Sequence, residues 1–327
     1  MSQFTQGPQE PILKPRDLGQ LLDRAFKVFG RSWKPLVAVG VFAAIPSVLM
    51  GVTFASIFPS DPTAPMDSWL IRIIQDAEEG YYGGLYALFS IGGILTLASL
   101  LLVPLYMGAL VDVSTRAVLQ MERVPLSESL RVGGRYYGPV LVTYLLKAIL
   151  YLIPVPLYIV TFTLEPLAAG LLMVLLVLLS IPYWLTVAVF TVFANHAIIV
   201  EERGGGMPAL RRAYELGRSR FWPLLGIGIV FYLLVYVLQS IITTPFAFAS
   251  GIAMVVTQAP WLMALTYLFQ GIAQAVGFPF LMVGQTLVYF DTRIRREGYD
   301  LEVMAQQQGA QPQAPQPVIA PPPDPQP

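Results

Sequence analysis

Hydrophobic positions between Asp17 and Leu36 fall on one side of a helix. Leu18, Leu21, Leu22, Ala25, Phe26, Phe29 and Trp33 recur at spacings of three and four residues, the pattern of an amphipathic helix. Gln20, Asp23, Arg24, Lys27, Arg31 and Lys34 occupy the other side. From Pro35 the polar side disappears, and the chain stays apolar to Phe58. A basic amphipathic helix with a tryptophan near its end and an apolar run behind it reads as an interface helix feeding a membrane span.

Five further apolar runs follow, at 84–111, 138–162, 167–192, 223–246 and 261–289. Each is long enough to cross a hydrocarbon layer of about 30 Å. Pro154 and Pro156 are expected to bend the third span and Pro182 the fourth, because proline removes a backbone donor. In the first loop, Trp69, Leu70, Ile73 and Ile74 share helical spacing behind a capping Asp67, which predicts a short interface helix over Ser68–Ala77. Residues 247–260 carry no charge and read as a connection. The predicted fold class is all-α: a polytopic bundle of six transmembrane helices with amphipathic interface helices. Residues 1–16 form an irregular lead-in, 17–304 the six-span domain, and 305–327 a Pro/Gln-rich tail unable to bury a core.

Composition supports this reading. Only 12% of the 327 residues are charged, about half the share in soluble domains. The net charge is zero, so no basic field points to nucleic acid. With no cysteine and a single histidine, His196, thiolate and multi-histidine metal sites are excluded, and no cofactor is expected. The polar start lacks the apolar core of a cleavable signal, so the first span is expected to direct insertion.

Charge sets the orientation. One side of the six-span plan collects Lys14, Arg16, Arg24, Lys27, Arg31 and Lys34, then Arg116, Arg123, Arg131 and Arg135. The same side takes Arg203, Arg211, Arg212, Arg218 and Arg220, and finally Arg293, Arg295 and Arg296. Arg72 alone falls in an opposite loop, and Lys147 falls within a span. Short basic loops stay inside, so both termini are expected in the cytoplasm.

The opening pattern returns. LLDRAFKVFGRSWKPL (21–36) aligns with ALRRAYELGRSRFWPL (209–224), matching Leu22 to Leu210, Arg24 to Arg212, Ala25 to Ala213 and Pro35 to Pro223. LSESLRVGGRYYGPVL (126–141) is a shorter middle copy. The plan is three units, each an interface helix followed by two spans.

Candidate sites are few. Lys147 is the one ionisable residue well inside a span, where a charge costs about 2.5–3.5 kcal/mol and calls for a partner or water. It either contacts a substrate, ion or headgroup, or snorkels to the nearer interface. Gln270 and Gln274 share a face of the sixth span, with Gln239 on the fifth; they line a polar path or bond helices together. Lone His196 beside Asn195 reads as structural. Gly204–Gly206 lacks the lysine and hydroxyl of a phosphate loop. Arg24, Lys27, Arg31 and Lys34 are placed to attract anionic lipid headgroups. So are Arg211, Arg212, Arg218 and Arg220, and Arg293, Arg295 and Arg296.

LVYFDTRIRREGYDLEV (287–303), through Tyr289, Asp291, Arg293, Arg295, Arg296, Glu297, Gly298, Asp300 and Leu301, resembles the closing motif of the bacterial glycerophosphoryl diester phosphodiesterase membrane-domain family. Lys14, Pro15, Leu18, Gly19, Leu22, Asp23 and Phe26 resemble its opening, and 209–222 an internal stretch. The resemblance implies the membrane module in a bacterial plasma membrane. The family's catalytic barrel, which needs histidines and carboxylates around a metal, has no counterpart here. Asp291 and Glu297 are expected to pair with arginines of the interface helices, and Gly298 to end the last helix in a left-handed cap.

The expected function is that of a non-enzymatic integral membrane protein, an envelope scaffold or a module binding lipids and partner proteins. The alternative is a transporter or lipid-handling protein with a polar site near Lys147. Topology is directly testable. Reporter fusions after residues 75 and 310 should localise to opposite sides of the membrane; two cytoplasmic signals would exclude the six-span plan.

Overall fold

A computed structural model of the chain describes residues 16–57, 80, 93–119, 126–161, 166–257 and 261–298. The predicted Ser68–Ala77 helix, the first part of the lead-in and the tail lie outside them. Among the described residues every regular element is helical. The helices are α1 (Leu18–Ile57), α2 (Gly93–Val118), α3 (Leu126–Arg135), α4 (Tyr137–Leu152), α5 (Val155–Thr161), α6 (Pro166–Thr191), α7 (Ala194–Ile199), α8 (Met207–Arg218), α9 (Phe221–Thr257) and α10 (Trp261–Glu297). Six stretches are long and apolar enough to cross a membrane. The protein is an all-α, multi-pass membrane bundle.

The interface helix and first span form one helix bent at Ser32 (φ −119°, ψ 22°), three residues before Pro35. Pro35 has no N–H for the carbonyl four residues back, and its ring crowds that carbonyl, so the helix bends within the preceding turn, where the amphipathic pattern ends. The apolar face is divided. Leu21, Ala25 and Val28 are buried, whereas Leu18, Phe26 and Trp33 are exposed. Val28, outside the expected stripe, takes the inward position. The corresponding helices α3 and α8 precede α4 and α9, as the three-unit plan requires.

Several boundaries move. α2 continues through Val118 and includes Asp112 and Arg116, which bond at 2.9 Å one turn apart. α9 runs to Thr257, so much of the uncharged 247–260 segment is helix rather than connection. The third span breaks into α4 and α5 at Pro154. Pro154 cannot donate to Leu150 O four residues back. The Tyr183 hydroxyl donates to that carbonyl at 2.6 Å, and Trp184 Nε1 donates to Tyr151 O at 3.2 Å. Side chains of α6 thus serve the carbonyls that the break exposes, as an apolar medium requires.

α2 packs against α1, α3, α4 and α7, and α8 packs against α6, α7 and α4. The α2–α3 contact is made at Gly108 and Gly133, where the backbones touch; small residues permit such approach. At the other extreme, only 11% of the most apolar stretch of α9 is buried.

The chain divides into two units, Arg16–Tyr289 and Met1–Pro15 with Phe290–Pro327. In the second, the described part is the last two turns of α10. Asp291 accepts from Arg295 at 3.0 Å and Glu297 from Arg293 at 3.1 Å. Each acid thus has a partner one turn away on the same helix. Gly298, at φ +64°, donates its N–H to Ile294 O at 3.1 Å. This is the left-handed helix stop expected from the sequence.

Two adjacent glycines of α3 provide a test. A Cβ on Gly133 would meet Leu105 O of α2, whereas one on Gly134 meets nothing. Gly133→Ala should cost about 1–3 kcal/mol through overpacking. Gly134→Ala should be neutral or stabilising by up to about 1 kcal/mol. Thermal unfolding of the detergent-solubilised protein separates the two.

Candidate functional site

The polar groups of the Arg16–Tyr289 unit gather where α7 meets α2, α8 and α10. His196, on the single-turn α7, is almost completely buried. Its Nε2 lies 3.0 Å from Thr286 Oγ1 of α10, which also contacts Ser114 Oγ of α2 at 2.8 Å. Thr286 has one proton, and Met282 O is an acceptor for it at 2.8 Å. Ser114 likewise has a carbonyl acceptor on its own helix, Val111 O at 3.1 Å, so either hydroxyl can donate in the Ser114–Thr286 contact. The other ring nitrogen of His196, Nδ1, is buried and has no hydrogen-bond partner among the described residues. The imidazole stacks on Tyr289, with centroids 5.1 Å apart and rings 24° from parallel.

One turn beyond α7, Glu201 collects donors. Arg212 Nε of α8 reaches its two carboxylate oxygens at 3.0 and 2.7 Å, Tyr289 Oη donates at 2.7 Å, and Arg203 Nε lies at 3.0 Å. The Glu201 and Arg212 side chains are only 9% and 11% exposed, so this pair is largely removed from water. The loop that presents Glu201 is held against α4. A Cβ on Gly205 would overlap the Pro139 backbone. Gly206, at φ +77°, donates its N–H to Thr143 Oγ1 at 2.6 Å. Tyr136 adds a bond to Glu202 at 3.2 Å. Desolvation first, and then that carboxylate, raise the Tyr136 phenol above its ordinary value of 10.0.

The intramembrane residues singled out in the sequence do not converge. Lys147 is half-buried on the α4 face that also carries Val140 and Thr143, within electrostatic reach of His196. Among the described residues it has no hydrogen bond or ion pair. Gln274 accepts from Ser47 of α1 at 2.9 Å. Gln239 lies against Gly277 of α10, while Gln270 is exposed. Gln274 and Thr286 are twelve residues apart on α10, or about 18 Å. Two glutamines therefore act between helices, and Lys147 belongs to the His196 region.

The basic clusters also divide. Arg212 is committed to Glu201 and is not a headgroup contact. Arg24 keeps a buried Nε. Lys27 pairs with Asp23 at 2.7 Å and Arg211 with Glu215 at 3.2 Å on exposed surfaces, where ion pairs contribute little. Lys34 lies 6.0 Å from the Trp33 ring. Arg31, Arg218 and Arg296 are exposed, and Arg220 is half-buried. Sequence reasoning missed Ser114, Thr286, Glu201 and Tyr289. A glutamate following a lone histidine was the only signal available.

A groove of about 430 Å³ opens between α6, α9 and α10. Gln285 is the sole lining residue with a polar side chain apart from Tyr232, and the rest is aliphatic, phenylalanine or glycine. Phe193 both lines this groove and packs edge-on to Tyr289, with centroids 5.7 Å apart.

The Glu201 knot predicts a loss from either side. Glu201→Gln and Arg212→Gln should each cost about 3 kcal/mol, because each strips a buried ion pair of one member. Thermal melts of both variants read the loss; a cost under about 1 kcal/mol in both, the range of exposed pairs, would contradict it.

No curated protein matches the chain, and no solved structure does. The family of domains of unknown function DUF7847 matches residues 17–291, and the chain belongs to that family.

Proposed function

We propose that the protein is a non-enzymatic membrane module that binds anionic lipid, and through it organises the envelope, at the cytoplasmic face of a bacterial plasma membrane. The carrying observation is the division of the interface helices. α1 and α8 each bury one stripe in the bundle and turn basic and aromatic side chains outward: Phe26, Lys27, Trp33 and Lys34 on α1, Arg211, Tyr214 and Arg218 on α8. Exposed aromatics beside cations suit the headgroup layer. Orientation rests on the positive-inside rule. The resemblance of residues 287–303 to the closing motif of a membrane module fits that reading. At Glu201 the buried charges are spent on one another, which supports a structural role for that site.

A second reading, transport or lipid handling near Lys147, is favoured by that lysine's place inside a span with no hydrogen bond or ion pair among the described residues. Lys147→Met separates the two: it should leave lipid binding intact and abolish any transport found.

Extraction in native lipid with identification of the retained lipids and proteins tests the main reading. Anionic lipid should be enriched over the bulk membrane. Replacing exposed Lys27, Lys34 and Arg211 with Gln should reduce that enrichment, each cation contributing about 1 kcal/mol. Unchanged enrichment in the triple variant would contradict the proposal.

A further inference from the structure

The groove between α6, α9 and α10 has no polar task in the bundle. Leu185, Val189, Leu224, Gly228, Phe231 and Gln285 represent its walls. It lies within the spans, where the surrounding medium is hydrocarbon. Its volume falls in the range of about 300–1,000 Å³ typical of ligand pockets. On α9 it extends from Leu224 to Leu233, about 13 Å of helix, inward from the end that carries α8. Tyr232 and Leu233 on its edge are 68% and 61% exposed, so it opens sideways to the bilayer rather than to water. In the chain, exposed Arg218 and Trp222 come six and two residues before Leu224, the first groove residue on α9. Arg218 has no ion pair among the described residues, and Trp222 is 77% exposed.

We infer that this groove is a binding site for one phospholipid with an anionic headgroup, its acyl chain lying along α9 and its phosphate at Arg218. This deepens the lipid-binding reading above and rests on it. Two features select this occupant. The walls accept hydrocarbon, and Arg218, an exposed cation without an ion pair among the described residues, precedes the groove in the chain and complements a phosphate, with the Trp222 indole in the same stretch, at the level where amphipathic rings gather. A transmembrane helix of a partner would fill the walls but leave Arg218 unanswered.

Gly228 supplies the test. A Cβ there meets nothing within 4 Å and points into the groove's lining, while Gly226, two residues earlier, is equally open but does not line it. Leucine at either site improves helix propensity, so both variants should fold. The full chain is delipidated in detergent and titrated with phosphatidylglycerol or phosphatidylcholine, and complexes are counted by native mass spectrometry. Wild type and Gly226→Leu should hold one phosphatidylglycerol, and Gly228→Leu should bind about tenfold more weakly. Arg218→Gln should lose about fivefold in preference for phosphatidylglycerol over phosphatidylcholine, the effect of one interfacial cation.

Wild-type affinity in Gly228→Leu overturns the groove site. So does a wild-type dimer or partner complex that Gly228→Leu dissolves. If the groove fails while the Lys27, Lys34 and Arg211 variant still loses anionic enrichment, the general lipid-binding reading stands. If wild type shows no preference for phosphatidylglycerol, both fail.

Discussion

The carboxylate of Glu201 fixes the basic end of the Arg16–Tyr289 unit. It bonds Arg212 of α8, Tyr289 of α10 and Arg203 of its own loop. A charge this far from water is tolerated only with its counter-charge and donors in place, so α8, α10 and the loop after α7 must share one geometry. That geometry presses Gly205 onto Pro139 and hands the Gly206 N–H to Thr143, which docks the loop on α4. Tyr289 extends the constraint inward by stacking on His196, and His196 extends it to α2 through Thr286 and Ser114. A ladder of polar contacts thus ties five helices that apolar packing alone would leave free to slide, because hydrocarbon offers helices little preference for each other over lipid.

The interface helices show what a basic pattern conceals. On α8, Ala209, Leu210, Ala213, Leu216 and Gly217 are buried, a stripe of one helical period. Arg211 and Arg218 are seven residues apart and share the outer face. Arg212 is turned by one residue's rotation toward the buried stripe, enough to exchange solvent for Glu201. In the sequence these arginines form one cluster; in the fold one builds the bundle and others remain outside.

The six spans, the break at Pro154 and the stop at Gly298 were all legible. Each follows from hydropathy or from a residue with restricted backbone chemistry. The lengths of α2 and α9 were not. Asp112 looked like the start of a loop, but Arg116 one turn later lets the helix carry it, and an uncharged segment such as 247–257 gives no mark of where a span stops. Facing was harder still. Phe26 and Val28 are equally apolar, yet the smaller is buried and the larger exposed, because lipid and protein interior accept the same side chains. Thr286 and Ser114 are inconspicuous residues, and only the meeting of α2, α7 and α10 gives them partners.

The groove follows from how α9 meets α10. Near Gly277 the helices come close, with the Gln239 amide lying on a residue that has no side chain. Toward the basic end, buried Phe231 stands against Gly284, and its ring lies 6.3 Å from that of Phe280. A phenyl ring between two helices sets their separation, and glycine at 284 lets it sit flush instead of forcing a shift. Above the ring no large side chain closes the gap, because α9 presents Gly228 there. Protein interiors are close-packed, and an unfilled apolar space loses contacts on one side. In water such a hollow would collapse or recruit a partner. In a bilayer, acyl chains are always at hand to fill it, so one small residue on α9 is enough to turn a packing defect into a place for a lipid.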